Sequence, residues 1–257
     1  MTTAGLRLNV LGSATPYPRP DNPCSGYLLT SGDTRIWLDA GTGTLAALQR
    51  HVRLTDLDAI WISHAHADHS ADLLTAYYAL LYADLRLTAP LPLYGPPGIA
   101  DRLADFLTNG PERSPVERAF TIHELHDGHR AEIGPLSLTT RAVEHGLPAF
   151  AVRVDDGDVS LVYSGDTAPC AKLTELATTC DTLLCEADSA EPSTPPVHHT
   201  PEDAGTTATA AGVGRLIITH VGPFLTPEQA VDRAAATFSG PIGYAAPGTT
   251  IDITPMP

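Results

Sequence analysis

Short apolar runs punctuate the chain, bounded by glycine, proline or acidic residues, and alternate with longer segments of helical periodicity. The runs predict strands at Leu6–Leu11, Tyr27–Thr30, Arg35–Asp39, Ala59–Ser63, Leu91–Tyr94, Phe120–Leu125, Leu136–Ala142, Ala149–Val154, Ser160–Ser164, Thr182–Cys185, Arg215–Thr219 and Ile242–Ala245. Helices are predicted over Thr42–His51, Ser70–Leu85, Gly98–Asn109, Ala168–Thr178, Pro201–Ala211 and Pro227–Phe238. The clearest start is at Pro201: Thr200 can cap, Pro201 suits the first helical position, and Glu202 and Asp203 complement the positive end of the dipole.

Many strands follow one another without an intervening helix. A doubly wound parallel sheet would alternate more regularly, so two central sheets with helices on their outer faces fit this order better. No linker or low-complexity tract interrupts the 257 residues, and a single α/β domain over 1–257 is expected.

Charge narrows the function. Fifteen basic residues face thirty acidic ones, a net of −15, which opposes a grip on a nucleic-acid backbone. No run is long and apolar enough for a membrane span. The start, Met1–Gly5, has neither the basic nor the apolar segment of a signal peptide, so a cytoplasmic location and reduced thiols at Cys24, Cys170, Cys180 and Cys185 are expected.

The chemistry concentrates where the apolar run Ala59–Ser63 stops. Residues two apart on an extended chain share a side, so His64 and His66 can converge on one ion. Asp68 and His69 follow as the chain turns into a helix, and can face a second ion. Imidazole and carboxylate at this spacing suit zinc, with manganese or iron as alternatives. Six residues cannot close two coordination spheres. Three further ligand types stand just past apolar strands, each beside a glycine: His145, Asp166 and His220.

The series His64-x-His66-x-Asp68-His69, then His145, Asp166 and His220, resembles the metallo-β-lactamase superfamily. The resemblance implies a four-layer αββα sandwich with two divalent cations at one edge of the paired sheets. It assigns His64, His66 and His145 to the first ion, Asp68, His69 and His220 to the second, and Asp166 to a bridge. The opening Leu11-Gly12-Ser13-Ala14-Thr15-Pro16 and the segment His198-His199-Thr200-Pro201-Glu202-Asp203-Ala204 are similar to the ribonuclease Z and phosphodiesterase branch. There the histidine at the place of His198 assists catalysis. Here a second histidine, His199, stands where that motif carries Ser or Thr, and which of the two takes the role stays open.

A dimetal site can share a hydroxide between its ions and bring its pKa toward neutrality, with Asp68 orienting the water and His198 giving acid–base help. Asp39, and after it Glu186, are candidates to fix imidazole tautomers. His123, His126 and His129 are read as surface residues, and Tyr77, Tyr78 and Tyr82 as core. Tyr17, Arg19 and Phe224 are candidates to touch substrate. The preferred function is a phosphodiesterase on small, including cyclic, phosphodiesters or nucleotides. The alternative is a hydrolase of a lactone, thioester or lactam. A transfer-RNA ribonuclease ranks lower, because only residues 146–165 separate His145 from Asp166, where that branch inserts a long arm, and the net charge opposes a folded polyanion. A metal-binding scaffold without catalysis ranks lower too, since every ligand position is filled. The expected partner is a small-molecule substrate, without duplex, folded RNA or membrane. The resemblance implies a homodimer.

Overall fold

Side chains alternate along the buried strands, and their two directions separate the layers. The computed structural model describes residues 5–85 and 88–256; the start of the chain, read above for a leader, lies largely outside them. On β1 (Arg7–Gly12), β2 (Gly26–Ser31) and β3 (Thr34–Leu38), Leu8, Tyr27, Leu29, Ile36 and Leu38 point inward to a second sheet, while Leu28 and Trp37 point outward to helices. The first sheet continues through β4 (Ala59–Trp61), β5 (Leu91–Gly95) and β6 (Phe120–Glu124). The second runs from β7 (Arg130–Ile133), β8 (Leu136–Ala142), β9 (Phe150–Asp156) and β10 (Val159–Tyr163) to β11 (Thr182–Ala187), β12 (Arg215–Val221) and β13 (Ile242–Tyr244). The last described strand, β14 (Thr250–Asp252), returns to pair with β1, so each sheet has seven strands among the described residues.

Three apolar clusters fill the three interlayer spaces. Helices α1 (Thr44–Leu48), α3 (Asp72–Tyr82) and α4 (Ile99–Leu107) cover one sheet; α5 (Ala171–Leu176), α6 (Pro201–Ala211) and α7 (Pro227–Ala234) cover the other. The short α2 (Ala67–Ser70) lies at the edge between them. This is the expected αββα sandwich. The capping box at Thr200 is present in both directions: Asp203 N–H donates to Thr200 Oγ1 and Thr200 N–H to Asp203 Oδ2.

Two strands escaped the sequence reading, β7 and β14. Both are edge strands, mostly exposed and polar, and leave no apolar run to detect. The helix expected over Ser70–Leu85 begins earlier, at Ala67, and breaks at Ala71 into α2 and α3, which draws Asp68 and His69 into the first turn. Tyr77 is core as expected, but Tyr78 and Tyr82 are exposed. Of the surface histidines, His126 is exposed, whereas His123 stacks on Tyr94 and His129 packs edge-on against Trp61 and Tyr94. All four cysteines are free, and among the described residues no helix is long and apolar enough to cross a membrane.

Strands β3 to β6 are parallel, as are β10 to β13, and their C-terminal ends share one edge. There the sheets are tied together. Phe150 N–H donates to Ser63 O at 3.0 Å, and Ala14 bridges to Val221. Every candidate ligand lies along this edge.

Candidate metal centre

Beyond β4 the chain runs extended through Ser63, His64 and His66 and then enters α2, which turns Asp68 and His69 back toward the same point. His145 arrives past the end of β8, Asp166 past β10, and His220 from the penultimate position of β12. The backbone is bent hard to do this. Gly165 adopts a left-handed φ of +57°, and a side chain there would meet Ser63 Cβ at 2.9 Å. His220 itself sits at φ 50° and Asp39 at φ 56°, conformations costly to residues with a Cβ and concentrated at functional sites.

Two ligand groups result. In the first, His64 Nε2 lies 3.1 Å from His66 Nδ1, His145 Nε2 lies 3.2 Å from the same atom, and Asp166 Oδ2 is 3.6 Å from His64 Nε2. In the second, Asp68 Oδ2 is 3.9 Å from both His69 Nε2 and His220 Nε2. Asp166 spans them: Oδ1 is 3.2 Å from His69 Nε2, and Oδ2 is 3.2 Å from His220 Nε2. The seven residues singled out in the sequence therefore meet at one edge.

The outer ring nitrogens explain how the imidazoles are aimed. Asp39 Oδ2 accepts from His69 Nδ1–H at 2.7 Å, from the Ser63 hydroxyl at 2.8 Å and from the Tyr163 hydroxyl at 2.7 Å, while Oδ1 accepts the Ser63 N–H. With its proton committed to Asp39, Ser63 Oγ accepts from His64 Nδ1–H at 3.0 Å. Val197 O accepts from His145 Nδ1–H at 3.1 Å, and Ser25 Oγ meets His220 Nδ1 at 2.8 Å. Each bond turns the opposite nitrogen, Nε2, toward the cluster. Asp39 was anticipated as such a partner. Ser25, Ser63 and Tyr163 were not; the only hint in the sequence was the adjacency of Ser63 to His64.

Electrostatics point to cations. Burial and the neighbouring His69 push the His64 pKa well below its usual value, and burial with the neighbouring His145 lowers His66. With the protons of His64 and His145 on their outer nitrogens, the Nε2 lone pairs of both rings converge on the single atom His66 Nδ1, and one proton there can answer only one of them, whereas a cation can take all three. Burial alone would raise Asp166, but the imidazoles of His220, His69 and His64 outweigh it and hold the carboxyl well below the usual range. Three buried polar atoms of the cluster make no hydrogen bond among the described residues: His69 Nε2, His220 Nε2 and Asp166 Oδ1. Orphaned groups of this kind call for an unseen partner. The cluster is suited to binding metal ions.

A cavity of about 920 Å³ opens over it, bordered by Asp68, Asp166, His198, His220 and, at its lip, Phe224. Tyr17 and Arg19 do not border it. The Arg19 guanidinium stacks on the Tyr17 ring and lines a separate groove of about 300 Å³. His198 and His199 part company here. His199 is fully buried, with Nδ1–H donating to Thr167 O at 2.7 Å and Nε2 3.2 Å from Thr207 Oγ1. His198 borders the cavity, and its Nδ1–H donates to Glu186 Oε1 at 2.9 Å. Burial alone would lower the His198 pKa, but the hydrogen bond and charge of Glu186 push it up to about 9. Glu186 is fixed in turn by the N–H groups of Thr167 and Asp188.

The β-lactamase superfamily domain model matches residues 34–221, a span that contains the whole ligand series. An uncharacterized protein of Mycobacterium leprae is 37% identical over 257 residues, covering 98% of this chain and 90% of that protein. Ribonuclease Z of Mycobacterium bovis is 30% identical over 274 residues, covering 92% of this chain and 94% of that one. Among solved structures, the metallo-β-lactamase fold protein YhfI of Bacillus subtilis superposes with a TM-score of 0.85 at 26% identity, over 96% of this chain and 99% of its own.

Proposed function

The chain belongs to the metallo-β-lactamase superfamily, in the branch that includes ribonuclease Z, and from that premise we propose that it is a dinuclear phosphodiesterase acting on small phosphodiesters. The observation that carries this reading is the sharing of Asp166 between two adjacent ligand groups, with His198 beside the second. His64, His66 and His145 would hold one cation, Asp68, His69 and His220 the other, and Asp166 both, with zinc the metal that this nitrogen-rich set suits best. Bound divalent cations supply Lewis acidity, which acidifies a water toward neutrality and draws charge from a phosphoryl oxygen.

The protein side chains do the rest. Asp68 is buried at the cavity floor with a carboxylate oxygen available to orient a water. His198 holds a proton on Nδ1 against Glu186, and its Nε2 makes no hydrogen bond among the described residues. A protonated ring at that place can bind a phosphoryl oxygen or deliver its Nε2 proton to a departing alkoxide, help worth about a hundredfold or more.

The ribonuclease reading fits less well, although the relative's name places its substrate among phosphodiesters. Between His145 and Asp166 this chain has only β9 and β10, joined by a tight turn at Gly157. No arm rises there to hold a folded RNA. The test is a panel of an aryl phosphodiester, a cyclic nucleotide, a lactone and a β-lactam with metal content measured in parallel. Two equivalents of metal and preferential turnover of the diesters support the proposal; preferential opening of the lactone or lactam refutes it.

A further inference from the structure

Asp188 is held in place but has no part in the ligand set. Its N–H donates to Glu186 Oε2 at 3.0 Å, and its Oδ1 accepts from the Thr15 hydroxyl at 3.1 Å. Gly222 lies so close that a side chain there would come within 2.0 Å of Asp188 O. Glu186 and Gly222 thus fix the backbone of Asp188 and Thr15 holds its carboxylate, half-buried in the wall of the cavity that His198 and His220 also border. Glu191, exposed and three residues along the same loop, borders the cavity as well. Neither belongs to a cluster able to hold a metal among the described residues.

Just as telling is what the wall lacks. Among the described residues that border this cavity there is no lysine and no arginine. Arg19, which lines the neighbouring groove, has its guanidinium stacked on Tyr17. One phosphoryl group can be offset by cations in the ligand cluster and by His198. A second phosphate on the same substrate would find no positive side chain beyond His198 among the described residues of the cavity wall, and would instead meet Asp188 and Glu191.

We infer that the cavity selects substrates bearing a single phosphoryl group, with Asp188 and Glu191 as the specificity-determining residues that exclude a second phosphate. The inference rests on the phosphodiesterase reading and sharpens it. The class favoured is a lone diester, cyclic or joining uncharged groups; polyphosphates, bisphosphates and oligonucleotides are disfavoured. Carboxylates roughly 6 Å from an added phosphate weaken its binding about tenfold even at the dielectric of water. The repulsion between exposed charges fades as salt rises.

The test is calorimetric binding of thymidine 5′-monophosphate and thymidine 3′,5′-bisphosphate to zinc-loaded protein at low salt, since neither contains a diester to cleave. The monophosphate is expected to bind at least about tenfold more tightly. Changing Asp188→Asn and Glu191→Gln together should shrink that gap to about twofold, and Glu191→Lys alone, at an exposed position, should narrow or invert it. Equal affinities in the unaltered protein, tighter binding of the bisphosphate, an unchanged gap in both variants, or no binding of either nucleotide overturns the inference. Turnover of an aryl phosphodiester is followed on the same samples. Absent turnover with a persisting gap removes the phosphodiesterase reading and leaves the charge selection standing.

Discussion

Asp39 Oδ2 lies 2.7 Å from His69 Nδ1, on the side of the ring facing away from the ligand cluster. The same carboxylate also anchors Ser63 and, through it, His64, so one buried residue aims an imidazole in each ligand group. Replacing it with Asn keeps the shape but loses the charge and one acceptor. Asp39→Asn should weaken metal affinity by about ten- to a hundredfold, as outer partners of metal ligands commonly do. Competition against a zinc chelator measures this. An unchanged affinity would show that the His69 ring is held by its own packing.

Among the described residues Asp166 alone has oxygens near both groups, and Asp166→Ala should cost both metals rather than one. Metal content should fall from two equivalents to well below one, and diester hydrolysis by at least about a thousandfold, since both cations act on the same reacting group. His66→Ala, which touches only the first group, should retain metal at the second. Equal metal loss in the two variants would argue against a bridging Asp166.

Much of this was legible in the sequence, for a physical reason. Each ligand is a metal-binding residue type, and each stands at or just past the end of an apolar strand, so His64, His66, His145, Asp166 and His220 mark an edge before any fold is known. The layers were legible from strands that succeed one another without helices. What was hidden depends on contacts across the sheets. Tyr163 reaches Asp39 from a strand 124 residues away, and Ser25 reaches His220 across 195. Hydroxyls occur throughout the chain, and nothing local marks these. The choice between His198 and His199 was equally closed, because adjacent residues diverge only once α6 is packed: one ring faces the cavity and the other is sealed against Thr167 and Thr207.

That divergence can be read out directly. His198→Ala should lower kcat by about a hundredfold with metal content and melting temperature nearly unchanged. His199→Ala removes a buried ring bonded at both nitrogens and should cost about 1–3 kcal/mol of stability, while the folded fraction stays active. Thermal melts and kcat on the same samples separate the two. The reverse pattern would transfer the catalytic role to His199.

Glu186 favours the protonated form of His198, and a pH profile can show it. A proton donor works while protonated, so activity should fall as pH rises through the His198 pKa, which the hydrogen bond and charge of Glu186 raise. In Glu186→Gln the raising charge is gone, and the alkaline limb of kcat should move to lower pH. A limb that stays in place would mean that His198 is not the titrating donor.

Removing metal should expose the strain of the site as pH-dependent stability. Without cations, His69 and His220 are buried next to Asp166; burial alone would lower their pKa values, but the Asp166 charge, joined by Asp39 for His69, raises both. A raised imidazole contributes stability that is fully present below its unfolded pKa, about 6.5, and lost as pH climbs through the folded value. Chelated protein should therefore melt at progressively lower temperature as pH rises above about 6.5, on account of these two rings. Metal-loaded protein holds the same nitrogens as neutral ligands and should lack that decline. Metal at a hundred times its dissociation constant adds about 2.7 kcal/mol, or roughly 5–10 °C for a chain of this size. Calorimetric scans with and without chelator between pH 6 and pH 9 test both parts. Identical melting curves would mean that the orphaned nitrogens find partners other than a cation.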